Sequence, residues 1–238
     1  MSAVTATPRP RASKPATTRA PQAATATAPT TSRRRLTDDE RVRRARQRND
    51  ARLLKHRQRI LDAVAHCFAE RGYHETSVDR VVQHARTSKS AFYAVFANKE
   101  QAFAALLDRE GERLLHTVER AIIDEPDDRR KARQGIATFV TDCAANRTTA
   151  RILLVESVGM SPAIEETRRA LHARFAEMIL AQARARLQPK AALDLEVIAY
   201  ALVGAVNEAV VRLLETGRSD PQPVVAALDH LAARALQP

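Results

Sequence analysis

Apolar positions in this chain recur every three or four residues over most of its length, and nowhere do they alternate as a half-buried strand would require. From Ile60 they run through Leu61, Val64, Cys67 and Phe68 to Arg71-Gly72, where glycine at the C-terminal cap position predicts the end of a helix. Val78, Val81, Val82 and Ala85 predict a second, short helix with one apolar face, with Thr76 as its N-cap and Asp79 in its first turn. A turn falls at Arg86-Thr87. Ser88 caps a third helix, in which Phe92 and Phe96 at i and i+4 bury against the second and leave Lys89, Ser90, Ala91 and Tyr93 on the surface. Two short helices joined by a tight turn are the layout of a helix-turn-helix DNA reader, whose second helix enters a major groove.

The pattern continues as helix to the end. Asn98-Lys99-Glu100-Gln101 is a capping box opening a helix whose Phe103, Leu106, Leu107, Leu114, Leu115, Val118 and Ile122 form a seam that stops before Pro126. Further helices are predicted at about 130–145, 148–158, 162–187, 192–216 and 221–236, punctuated by Asn146, Gly159 to Pro162, Gln188-Pro189 and Gly217 to Pro223. The fold class is therefore all-α, with the apolar faces packed into a bundle. On the last two helices, Leu195, Ile198, Leu202, Val206, Ala209, Val210 and Leu213 line one side of the first, with Gly204 and Ala205 allowing close approach. Val224, Leu228, Leu231 and Ala235 line the second; periodicity alone fits a dimer interface and an intramolecular core equally.

Upstream of Ile60 the character changes. Thr37-Asp38-Asp39-Glu40 is another capping box, and Arg41 to Arg59 contains no Pro or Gly, so a helix starts near 38 and runs into the core helix. Residues 1–36 are rich in Ala, Thr and Pro with Arg and no acid, the composition of a disordered basic tail. Charge follows the same division: residues 1–59 hold 16 Lys and Arg against 4 Asp and Glu, and the rest of the chain holds 23 against 24. A basic arm leading into a reading element points to phosphate anchoring beside base readout. The one-signed run of Arg41, Arg43, Arg44, Arg46 and Arg48 fits either a solvated helix face or DNA backbone contact.

Other chemistry is sparse. Cys67 and Cys143 sit among apolar neighbours, as reduced core thiols do. No run of 18 uninterrupted apolar residues predicts a membrane span, and no secretory signal is expected. The seven histidines are scattered singly, and no Gly-rich phosphate loop, His-Glu-x-x-His or Gly-x-Ser-x-Gly occurs, so neither catalysis, nor a metal, nor a cofactor is expected.

Residues 72–78, Gly-Tyr-His-Glu-Thr-Ser-Val, followed by 88–100, Ser-Lys-Ser-Ala-Phe-Tyr-Ala-Val-Phe-Ala-Asn-Lys-Glu, resemble the N-terminal domain of the TetR family of bacterial transcription regulators over about Lys55 to Phe103. The chain departs from the family pattern at Val81-Val82, Ser90-Ala91 and Val95, and above all at Arg86-Thr87, where the family has Gly-Val. Without that glycine, Arg86 must take a positive φ at a cost of about 1 kcal/mol, or the turn must differ. The resemblance implies a helix-turn-helix domain at 37–99 and a ligand-binding and dimerisation domain at 100–238. It also implies a homodimer through the last two helices, a double-stranded operator and a small-molecule effector in a cytoplasmic, repressing regulator. Matching positions put Tyr93 and Lys99 on phosphates, Lys89, Ser90 and Ala91 near base edges, and Thr76, Ser77 and Ser88 at the same surface. The effector cavity would draw on Phe139, Leu153, Leu154, Glu156, Met160, Phe175, Met178 and Ile179, with Glu156 either solvent-facing or a polar anchor in an apolar cavity. The competing expectation is a DNA-organising protein without sequence preference, whose bundle only dimerises.

Overall fold

A computed structural model describes residues 37–186 and 194–235. The tail expected at 1–36 and the break expected at Gln188-Pro189 lie outside the described residues. The chain divides into two compact units, one ending at Arg44 and the other beginning at Ala45. In the first, helix α1 (Asp38–Arg71) opens with the expected capping box: the Thr37 N–H donates to Glu40 Oε2 at 2.9 Å, and the Glu40 N–H donates to Thr37 Oγ1 at 3.3 Å.

In the second unit α1 continues into the core, burying Ile60, Leu61, Val64, Cys67 and Phe68, and ends where Gly72 takes φ +74°. Helices α2 (Val78–His84) and α3 (Lys89–Tyr93) follow, then α4 (Lys99–Ile122), in which all seven predicted seam residues are buried. Next come α5 (Asp128–Ala145) and α6 (Arg147–Arg151), then α7 (Pro162–Arg186), α8 (Leu195–Glu215) and α9 (Gln222–Ala235). Among the described residues there is no strand. α4 packs on α5 and α7, α7 on α8, and α5 on α8 and α9, giving the bundle its core. At Gly111 α4 packs closely on α7, since an added Cβ would lie 2.5 Å from the Leu171 methyls and Leu171 would have to shift to admit it.

Three expectations change. The helix expected at 148–158 is instead α6 followed by a π-helical turn, Ile152–Glu156, closed by the buried Ser157, whose hydroxyl donates to the Leu153 carbonyl at 2.7 Å. Next, Leu202, Val210, Leu213 and Leu228, expected at a dimer interface, are buried within this chain, because the bundle needs that side of α8 and α9 for its own core. On α8 the opposite side is the exposed one, presenting Val197 and Tyr200, and on α9 Leu231, beside the buried Leu228, is exposed.

Finally, α8 is long and apolar enough, by length and composition, to cross a membrane, with a mean hydropathy of 1.7 over an 18-residue window. An uninterrupted-run criterion passed over it because Asn207 and Glu208 break the run. Its composition reflects two apolar sides, one turned to the core and the other uncovered in the single chain. Cys67 and Cys143 are free and buried as expected, and burial pushes the Cys143 thiol up to about 12, which keeps it protonated.

Candidate functional site

Two features carry chemistry: the surface around α2 and α3, and a cavity in the bundle. At the first, the N-cap of α2 is Ser77, not Thr76; its hydroxyl accepts from the Arg80 N–H at 3.3 Å. Thr76 is only 1% exposed and its hydroxyl is directed to the end of α1, reaching the carbonyls of Cys67 at 3.1 Å and Gly72 at 2.8 Å. Helix α1 ends with orphan carbonyls, and a buried hydroxyl beside them satisfies itself there, so the Thr76 side chain is withdrawn from the surface.

The turn adopts the geometry its sequence makes costly. Arg86 sits at φ +49°, the left-handed region that a glycine would fill without strain. Arg59 of α1 compensates: its Nη2 donates to the carbonyls of Ala85 at 2.6 Å and Arg86 at 3.1 Å. His56 Nε2 lies 3.2 Å from Thr87 Oγ1, and the Arg57 guanidinium stacks 5.4 Å from the Phe96 ring centre. The segment His56 to Arg59 of α1 thus holds the turn and the recognition helix from behind. In the sequence these residues fell in the helical stretch Arg41 to Arg59, downstream of the basic run, with no role assigned to them.

Ser88 caps α3 as expected, accepting from the Ala91 N–H at 3.1 Å, with Ser90 Oγ 2.9 Å away. Phe92 and Phe96 are buried beneath, while Lys89, Ser90 and Tyr93 are exposed and Ala91 is half-buried. Lys89 Nζ pairs with Asp79 at 2.7 Å, and that hydrogen bond raises its pKa. Lys99 differs from the others. Its ammonium donates to the carbonyls of Tyr73 at 2.7 Å and Thr76 at 2.8 Å and lies 4.1 Å from the Tyr73 ring centre. Burial lowers its pKa, against the pull of Glu75. Two of its three N–H donors are committed inside the protein.

The second feature is a cavity of about 120 Å³, walled by α4, α5, α7, α8 and α9. Of the predicted lining residues, Phe139, Phe175, Met178 and Ile179 border it, the two phenylalanines meeting edge-on at 5.4 Å. Leu153, Leu154, Glu156 and Met160 do not. They belong to the π-helical turn and the loop after it, which sit away from the cavity, and Glu156 Oε2 is buried there without a hydrogen-bond partner among the described residues. Sequence reading missed Val118 and Ile122 of α4, and also Lys131, Gly135, Gln182 and Asn207. Any helical residue on an inward face qualifies by periodicity, so which helices face a void is a matter of packing.

α4 joins the two features. Its C-terminal residues Val118 and Ile122 wall the cavity, and its N-terminus, capped by Asn98 accepting from the Gln101 N–H at 2.7 Å, follows directly on the recognition helix. A helix of this length spans roughly 36 Å. The start of α7 is tied to the same end of α4, since the Ser161 hydroxyl donates to Glu100 Oε1.

Residues 60–106 match the family model described as bacterial regulatory proteins, tetR family. The HTH-type transcriptional regulator YdgC of Bacillus subtilis is 24% identical over 182 residues, spanning 76% of this chain and 93% of that protein. A TetR-like transcriptional regulator from Rhodococcus sp. RHA1 superposes with a TM-score of 0.60 at 26% identity, covering 76% of this chain and 95% of that one. The transcriptional regulator FadR of Bacillus subtilis, solved in complex with stearoyl-CoA, superposes with a TM-score of 0.64 at 18% identity over 75% of this chain and 95% of its own.

Proposed function

From the premise that this chain belongs to the TetR family of bacterial transcription regulators, we propose that it is a homodimeric repressor that leaves a pseudo-palindromic operator when a small molecule fills the bundle cavity. The observation that carries this reading is the placement of α4, with one end in the cavity wall and the other at the foot of the recognition helix. A ligand that parts α5 and α7 shifts the C-terminal end of α4, and a tilt there moves α3. In a dimer, two such helices must keep the roughly 34–36 Å spacing of successive major grooves, so small tilts reduce affinity. The stearoyl-CoA complex of the similarly folded FadR supports effector binding in this architecture.

Dimerisation is supported by the uncovered side of α8 and α9, where Val197, Tyr200 and Leu231 stand exposed beside the small residues Ala201 and Gly204. On the DNA side, Lys89, Ser90 and Ala91 approach base edges, Ser77, Ser88 and Tyr93 meet the backbone, and Lys99 gives its remaining N–H to a phosphate. The domain bounds of 37–99 and 100–238 go with this assignment.

The test is selection of bound sequences from a random DNA pool, followed by competition against bulk DNA. The regulator prefers its selected site by roughly 10³-fold or more. A steep salt dependence with little preference would replace this reading with that of a DNA-organising protein. Lys89→Ala relaxes preference at one operator position, whereas Lys99→Ala weakens all sequences alike.

A further inference from the structure

The cavity has a chemical polarity that the sequence did not announce. Its wall is apolar almost throughout, and three polar side chains with hydrogen-bonding heads reach it: Lys131, Gln182 and Asn207. Asn207 is engaged, its side-chain amide lying 3.0 Å from Nε2 of His172, an imidazole that burial biases toward the neutral form. Lys131 and Gln182, by contrast, make no side-chain hydrogen bond or ion pair among the described residues. Among the described residues no carboxylate lines the cavity. A cationic ligand would therefore meet an ammonium and no counter-charge, and a pure hydrocarbon would make no use of that half-buried ammonium. An apolar body with an anionic head satisfies both.

The positions also set a length. Phe139 and Phe175 close one part of the cavity edge-on. Lys131 stands eight residues before Phe139 on α5, roughly 12 Å along the helix axis. Gly135 lies between them, and a Cβ added there would meet Ile122 and Val118 only at 3.5 and 3.6 Å, ordinary contact distances. No close helix approach demands glycine at this interior position, where alanine is the better helix former, so the missing side chain is room in the cavity.

Resting on the reading of this cavity as the effector site, we propose that it binds a medium-chain alkyl amphiphile with an anionic head, the chain lying along α5 past Gly135 and the head held by Lys131 and Gln182. A free carboxylate places its charge at the end of the chain, whereas an acyl thioester of coenzyme A places a neutral thioester there and carries its negative charge on phosphates farther out, so the two are alternative sources of the anion. Isothermal titration of the full-length protein with sodium decanoate, decanoyl-CoA, 1-decanol and decylamine separates them. One of the two anionic probes binds at least tenfold more tightly than decanol, decylamine does not bind, and the better anionic probe identifies the source. Lys131→Met removes that advantage, so that decanoate or decanoyl-CoA binds no more tightly than decanol, and Gly135→Leu abolishes binding of every probe with the helical circular dichroism retained. Decanol binding as well as the anions, an anion affinity insensitive to Lys131→Met, or no binding by any probe would each overturn the proposal.

Repeating the titration with selected operator DNA keeps the two readings distinct. Lys131-dependent binding that leaves DNA affinity unchanged upholds the ligand class and sinks the effector role. Release of DNA by a probe whose binding ignores Lys131 does the reverse.

Discussion

Around α2 and α3, the helix ends find partners close at hand: Ser77, Ser88 and Asn98 cap their helices, Thr76 and Lys99 take up carbonyls from neighbouring segments, and Arg59 holds the turn. Around the cavity the polar groups are few, Lys131 and Gln182 have no partner among the described residues, and five helices leave space between them. The contrast separates two mechanical tasks. The surface proposed to fit DNA in one register is over-determined by directional bonds, whereas the wall proposed to yield to a ligand rests on non-directional apolar contact and forgone packing.

The widest test of this contrast compares two phenylalanines. Phe103, fully buried where α4 meets the α1 core, costs about 3–5 kcal/mol on truncation to alanine. Phe175 already borders a void, so Phe175→Ala costs distinctly less, with urea unfolding as the measurement. Equal losses would mean that the cavity end is packed as tightly as the reader. Thr76→Val comes next: it leaves the Cys67 and Gly72 carbonyls without the hydroxyl and costs about 1–3 kcal/mol, while Thr76→Ser restores most of it. Stability unchanged by the valine would remove the basis for calling this junction bonded.

A smaller effect sharpens the picture of the turn. Arg86→Gly relieves the positive φ and stabilises by about 1 kcal/mol, and in that background Arg59→Ala loses less than it does alone. Strict additivity in this double-mutant cycle would show that Arg59 does not brace the turn. The smallest effect is a pH dependence at the cavity end. Burial lowers the pKa of His172 from 6.5, so the unfolded chain takes up the proton first. Stability from this group is complete above 6.5 and is lost as pH falls toward the lowered folded value. His172→Gln flattens the unfolding free energy over that acid range, and an unaltered slope would exclude His172 as its source.

Legibility in the sequence divides along the same line. The capping residues Ser88 and Asn98, the glycine stop at Gly72, the buried pair Phe92 and Phe96 and the α4 seam were all readable, because each rests on an interaction within a turn or two of helix. Thr76 was misread by one position: both it and Ser77 are good caps, and only the nearby end of α1 decides which hydroxyl turns inward. Arg59 was one arginine among many in the stretch Arg41 to Arg59 until the fold placed two carbonyls before it. Glu156 was conspicuous as an acid among apolar residues, yet the π-helical turn carries it away from the cavity, and Lys131, which reaches the cavity, sat in an ordinary charged stretch. The outward face of α8 and α9 was likewise set by which side the bundle consumed first.

The bracing of the turn by α1 also determines where the protein can be cut. The family pattern begins at Ile60, and a fragment started there would contain α2, the turn and α3 intact in sequence. It would lack His56, Arg57 and Arg59, and with them the hydrogen bonds to Thr87, Ala85 and Arg86 and the cation over Phe96. Such a fragment would carry the reading residues on a loosened frame. A minimal DNA-binding piece of this chain has to begin upstream of His56, inside what looks in the sequence like a dispensable basic leader.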